Sequence, residues 1–319
     1  MDGHEASSAA RARTGRGGGK RSATFQHRLE YVAVRILGGL LRHLPVDVTS
    51  WAMGGIMGLV MPLTAKHRRA LDQLAFALPE LDPAERQAIA RRMWRNLGRV
   101  SAEAFQIDKL IDDPARVTLP ADFAHYEALG KDGLIAGTAH LGNWEISGVL
   151  PRRAGLRFAG VYQALHNPYV EEYLKKMRAD AYPEGLFSKG PALGHTLVRL
   201  ARDGVGIGMV ADMRELRGIP VTFFGHEAYG TPFPAMLARL TGRPLLAGAI
   251  IRTRGVHFRV ELMEVPVPVT ADRDADIALA TQRLHDAFER WIRDAPDQWM
   301  WTHRKWARGR KASRPDFEG

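Results

Sequence analysis

Leu134-Ile135-Ala136-Gly137-Thr138-Ala139-His140, continuing into Leu141-Gly142-Asn143-Trp144-Glu145, is the stretch that decides the fold. Seven residues, apolar but for Thr138 and ending on a histidine, read as a buried strand. Asn143 to Leu150 reads as a helix that Pro151 stops. Downstream the two patterns alternate. Phe158–Leu165 is a second strand, followed by a helix over 169–181. A helix over 193–203 ends at Gly204. Val205–Asp212 is a third strand and Ile219–Phe224 a fourth. Phe233–Leu240 is a helix, and Leu245–Ile251 with Val256–Leu262 forms a hairpin. A last helix covers 274–294. This order predicts an α/β fold: a mostly parallel central sheet flanked by helices on both faces, with an antiparallel edge.

Ligands of such sheets bind beyond the carboxyl ends of the strands. His140 and Asp212 both sit there. His140 and Glu145 are five residues apart, about 140° beyond a full helical turn, so a continuous helix would not put them on one face. Gly142-Asn143 supplies a bend. Asn143 then caps the next helix, with Glu145 in its first turn, folded back within reach of the His140 ring. An imidazole held by a carboxylate can take a proton from a hydroxyl attacking a carbonyl carbon. The amides of Gly142 and Asn143 are candidate oxyanion donors. Taken alone, a His/Glu pair at this spacing also fits a structural role. A zinc site lacks its third ligand and the two-histidine helical motif.

Upstream, residues 25–111 read as a helical, membrane-associating segment. Tyr31–Leu44 is apolar but carries Arg35 and Arg42. Trp51–Leu63 is apolar on all sides, and Arg28, Lys66, His67, Arg68 and Arg69 flank the pair. Such a composition suits helices lying among lipid headgroups; packing on the protein's own core is the alternative. Asp82-Pro83-Ala84-Glu85 marks a capped helix start. Residues 1–24 read as a disordered basic arm, 112–310 as the α/β core and 311–319 as a tail. The closing run Trp299, Trp301, Trp306 with Arg304, Lys305, Arg308 and Arg310 reads as an aromatic, cationic patch for lipid or carrier contact. His195, His226 and His303 read as surface or packing residues. The formal charge of +10 over 319 residues suits anionic partners. The absence of cysteine excludes a thiol nucleophile, disulfides and thiolate metal sites. No run of about 18 uninterrupted apolar residues is present. No common nucleic-acid module is visible, so no nucleic-acid partner is expected.

His140-Leu141-Gly142-Asn143-Trp144-Glu145 resembles the His-x4-Asp/Glu box of the glycerolipid acyltransferase superfamily. In its Gly-Asn-Trp-Glu form it is similar to that of the bacterial lipid A late acyltransferases, the lauroyl or myristoyl acyltransferases. Tyr162–Pro168 with Arg178 resembles the family's second block. Gly204–Asp212 with Val221–Gly225 resembles its third, and Ala235–Pro244 and Pro296–Trp306 its closing segments. The likeness covers roughly residues 25–310; Gln163 and Met213 stand where relatives often carry Arg or Lys and Gln.

The resemblance implies transfer of an acyl group from an acyl-carrier-protein thioester to a hydroxyl of a lipid A precursor, without a cofactor. His140 would be general base and Glu145 its partner. Asn143, Arg178 and Asp212 would bind substrate or support the site, and Phe223, Phe224 and Gly225 would border the acyl pocket. It further implies an anionic membrane surface as partner and the cytoplasmic face of a bacterial inner membrane as location. A relative acting on another glycolipid or lysophospholipid with acyl-CoA, or a non-catalytic membrane-binding relative, remains open from the residues alone.

Overall fold

The computed structural model describes residues 24–190 and 193–306; the basic arm up to residue 23, the tail, Arg308 and Arg310 lie outside the described residues. The chain opens with helices α1 (Phe25–His43), α2 (Val46–Val60), α3 (Ala65–Ala77), α4 (Pro83–Glu103) and α5 (Ile107–Ile111). The α/β part follows: β1 (Val117–Thr118), α6 (Phe123–Gly130), β2 (Ile135–Gly142), α7 (Val149–Arg153), β3 (Phe158–Tyr162), α8 (Pro168–Arg178), β4 (Leu186–Ser188), α9 (Leu193–Arg202) and β5 (Gly206–Val210). It ends with β6 (Ile219–Phe223), β7 (His226–Gly230), α10 (Phe233–Thr241), β8 (Leu245–Arg254), β9 (His257–Val265) and α11 (Arg273–Asp294).

Local chemistry sets several boundaries. Asp82 and Glu85 bond each other's backbone N–H at 2.8 Å, the reciprocal cap expected at the start of α4. Asn167 accepts from the amides of Tyr169 and Val170, with Pro168 as the first residue of α8. Pro151, expected to stop a helix, instead lies inside α7. Asn143–Leu150 is not one helix but a 3-10 turn over Trp144–Ile146 followed by α7. Pro151 is the third residue of α7, where its missing N–H has no intrahelical acceptor to lose.

The sheet order is β1-β9-β8-β2-β5-β3-β4, parallel throughout except for the β8–β9 hairpin. The expected fourth strand, β6, is not in it. Pro220 and the turn at Phe224-Gly225 fold β6 onto β7 as a separate two-stranded ribbon. Along β2, Ile135, Gly137, Ala139 and Leu141 face α11 and the main core. A Cβ on Gly137 would lie 2.9 Å from Leu284, so the glycine lets α11 press onto the sheet. Ala136, Thr138 and His140 point to the opposite face.

The closing tryptophans are core, not surface. Trp299, Trp301 and Trp306 are buried against Phe223 and Phe224, and Trp306 Nε1 donates to the Phe223 carbonyl. Each indole buries a large apolar area while its N–H keeps an acceptor: Asp212 for Trp299, the Pro296 carbonyl for Trp301 and the Phe223 carbonyl for Trp306. Lys305 is buried with them. Its Nζ lies 3.0 Å from His285 Nε2, while His285 Nδ1 lies 2.9 Å from the Thr281 carbonyl. His285 therefore donates from Nδ1 and accepts at Nε2, which requires the neutral ring.

Burial first, and the Lys305 charge second, hold His285 down at about 3 against an ordinary 6.5. Between those values the unfolded chain binds a proton that the native chain refuses, so native stability falls as the pH drops below 6.5. The melting temperature is expected to decline from pH 7 to pH 5, with a shallower slope in His285→Gln; parallel slopes would refute this account. Asp212, depressed below 3.8, acts only at lower pH, whereas His303, also held below 6.5 by burial, adds a loss of the same sign, so the His285→Gln slope is reduced and not abolished.

Candidate active site

Two register facts bring the site together. β2 and β5 are parallel neighbours with Thr138 opposite Val210. Two residues on, His140 therefore comes beside Asp212 at the strand ends. The His140 ring accordingly meets Asp212: Nδ1 lies 2.8 Å from Oδ1, and the His140 amide donates to Oδ2 at 2.9 Å. Trp299 Nε1 also donates to Oδ2, at 2.7 Å. Asp212 is fully buried and His140 is 19% exposed. Burial opposes charge on Asp212, but the His140 ring and these three hydrogen bonds outweigh it and hold the carboxyl well below its ordinary range. The ionised carboxylate fixes the proton on Nδ1 and leaves Nε2 as the acceptor.

This corrects the expected partner. Glu145 is not on the His140 Nδ1 position. Its carboxylate is gripped by Arg178 of α8 at 2.6 Å, both side chains being about four-fifths buried. Glu145 nevertheless lines the same cavity as His140, so the bend at Gly142-Asn143 does bring the two to one side. Arg178, expected against substrate, is tied to Glu145.

The bend has its own support. Gly142 has φ +61°, and a Cβ there would sit 1.7 Å from the Ile250 carbonyl oxygen; only glycine fits. β2 runs four residues, from Thr138 to Gly142, against two on β8, and this irregularity lifts the chain off the ladder around His140. The Asn143 amide donates to Ile250 O at 3.0 Å, so it is not free to serve an oxyanion. Asn143 itself is buried and absent from the cavity wall, a correction to its expected contact with substrate. Its Oδ1 accepts from the Glu145 amide at 3.1 Å, and its Nδ2 donates to Glu103 at 2.7 Å.

Glu103 is the hub beneath the loop. It is buried in α4, takes both Nη atoms of Arg252 at 2.7 and 2.8 Å, and accepts from Ser50 at 2.6 Å. Arg252 Nε bonds Asn96, whose amide donates to the Gly142 carbonyl at 2.9 Å. Nothing in the spacing of Ser50, Asn96, Glu103 and Arg252 marked them, because they come from three elements far apart in the chain, α2, α4 and β8.

A cavity of about 580 Å³ opens onto the His140 ring. From His140 and Glu145 it runs down the exposed face of β2, past Thr138 and Ala136, to Leu134. The six residue steps from Leu134 to His140 span about 20 Å. The cavity's far end is mostly apolar, walled by Phe123, Tyr126, Leu156, Phe158 and Leu246, with Glu127 beside Tyr126. Gly206 and Gly208 make room for the Phe158 ring: a Cβ on either would approach it within 2.4 and 2.7 Å. Gln163 and Met213, the positions that depart from the family pattern, line the cavity, as does Arg214. His303 is no surface residue. It lines the mouth with its ring 5.9 Å from that of His140, and burial, then the His140 charge, push its pKa down. Phe223, Phe224 and Gly225 do not line this cavity. They form the tip of the β6–β7 ribbon among the tryptophans, on the opposite face of the sheet.

A protein-family model described as bacterial lipid A biosynthesis acyltransferase matches residues 19–308. No curated protein matches the chain significantly.

Proposed function

We propose, for a chain that belongs to the bacterial lipid A biosynthesis acyltransferase family, that it moves a fatty acyl group from an acyl-carrier-protein thioester to a hydroxyl of a lipid A precursor, with His140 as general base. The supporting observation is the His140–Asp212 pair opening onto an elongated, apolar-ended cavity. The thioester carbonyl sits at the His140 end and the acyl tail runs toward Leu134. His140 Nε2 takes the acceptor hydroxyl's proton as its oxygen attacks the carbonyl carbon. Asp212 stabilises the imidazolium that forms. On collapse the C–S bond breaks and the imidazolium proton goes to the departing carrier thiolate, leaving an ester and a free thiol.

Glu145, held by Arg178, shapes the approach beside His140. The carrier protein docks at the mouth, and the protein works at the cytoplasmic face of the inner membrane against anionic lipid. Incubating the purified protein with a tetra-acylated precursor and either acyl-carrier-protein or acyl-CoA donors, followed by mass spectrometry, tests this. A penta-acylated product from the carrier-bound donor is expected, with Ala136→Phe shifting preference to shorter chains. No product from the carrier-bound donor, with product from acyl-CoA, would overturn the choice of donor.

A further inference from the structure

Val46–Leu63 has the hydropathy of a membrane span, and 18 helical residues reach about 27 Å, close to the roughly 30 Å hydrocarbon core. The packing of α2 does not suit that role. α2 runs antiparallel along α4 at close range. A Cβ on Gly98 would lie 2.3 Å from Met53 O, one on Gly54 2.9 Å from Arg99 Cγ, and one on Gly58 2.6 Å from Arg95 Cγ. Ser50, one turn further, reaches buried Glu103. The inner face of α2 is thus set against arginines and an ion pair along most of its length. Arg95, level with Gly58, lies exposed on the protein surface, as do Arg91 and Arg92 on the same helix. A helix crossing the bilayer would carry these charges into hydrocarbon, where they are costly.

The outer faces tell the complementary story. On α1, Phe25, Leu29, Ile36 and Leu40 are 56–76% exposed, and on α2 Trp51 and Leu59 are 71% and 76% exposed. A monotopic helix pair with apolar side chains on one side needs a covering surface. Arg28 and Arg35 on α1 and Lys66 and Arg68 at the start of α3 are exposed and flank α2, which fits anionic headgroups around an apolar floor. α1 packs on α8, whose other side supplies Leu174 and Arg178 to the cavity wall. The apolar face therefore adjoins the site.

We propose that α1 and α2 form an in-plane seat on an anionic lipid surface, with α2 lying in one leaflet and not crossing it. This rests on the membrane-associated reading of the family given above.

The chain has no cysteine, so single cysteines report cleanly. His43→Cys and Ala65→Cys mark the two ends of α2, and Ala121→Cys marks the α/β core; all three positions are exposed. In inverted and right-side-out membrane vesicles, an impermeant maleimide is expected to label all three from the same side. Labelling of His43→Cys and Ala65→Cys from opposite sides would overturn the seat in favour of a span. Flotation is expected with vesicles containing phosphatidylglycerol and at least tenfold less with phosphatidylcholine alone. Equal flotation on both would remove the anionic preference, and none on either would remove the lipid seat. Acyl transfer to detergent-dispersed precursor, measured in parallel, tests the enzyme reading independently of these outcomes.

Discussion

Replacing His140 by alanine is expected to cut acyl transfer by about 10²–10⁴-fold, the usual contribution of a positioned general base, and to leave the melting temperature within a few degrees. The rate falls because, among the described residues, no other side chain offers an acceptor nitrogen held in one tautomer by a buried carboxylate at the cavity mouth. The fold survives because Asp212 keeps two of its donors, the residue 140 amide and Trp299 Nε1. Asp212→Asn is the companion variant. It preserves shape but removes the charge that fixes the His140 proton on Nδ1, so kcat should fall while KM for the acyl donor changes little. Single-turnover kinetics with the carrier-bound donor, alongside thermal melts, checks both. Wild-type rates in His140→Ala would defeat the catalytic assignment, whatever the family.

Removing Glu103 is expected to be the most damaging single change to stability. Four donors from three residues converge on a carboxylate with no exposure, and its main partner, Arg252, is 8% exposed. Glu103→Ala strands the guanidinium in the interior, a loss of about 3–5 kcal/mol. Glu103→Gln should do nearly as badly, since it turns an N–H toward Arg252. The double variant Glu103→Met with Arg252→Met should regain much of the stability, because two apolar groups replace two charges together. It should not regain activity. Asn143 would have lost the acceptor that holds its amide, and with it the support of the Glu145 turn. Thermal denaturation read beside transfer rates separates these effects; recovery of both in the double variant would show that Glu103 only balances Arg252.

Much of the fold was legible because periodicity is local. The apolar run ending at His140, the capping box at Asp82 and Glu85, and the β8–β9 hairpin each follow from residues within a few positions of one another. The errors arose where a partner lay far along the chain. Phe223 and the three tryptophans carry the same residue types whether they face an acyl chain, a lipid surface or each other. Their burial depends on α11 and the β6–β7 ribbon closing over them. Lys305 read as part of a basic patch because nothing near it in sequence announces His285.

For the site, the sequence by itself determined which residues carry chemistry: a histidine at a strand end, a glycine-asparagine bend, a glutamate beyond it and an aspartate at another strand end. Only the tertiary structure decided their pairing. Thr138 lies opposite Val210 because β2 and β5 are parallel neighbours, and that register, fixed by packing between distant segments, gives His140 to Asp212 and leaves Glu145 to Arg178. Side-chain reach is a property of short range in space, and strand adjacency across some seventy residues is not written in any local pattern.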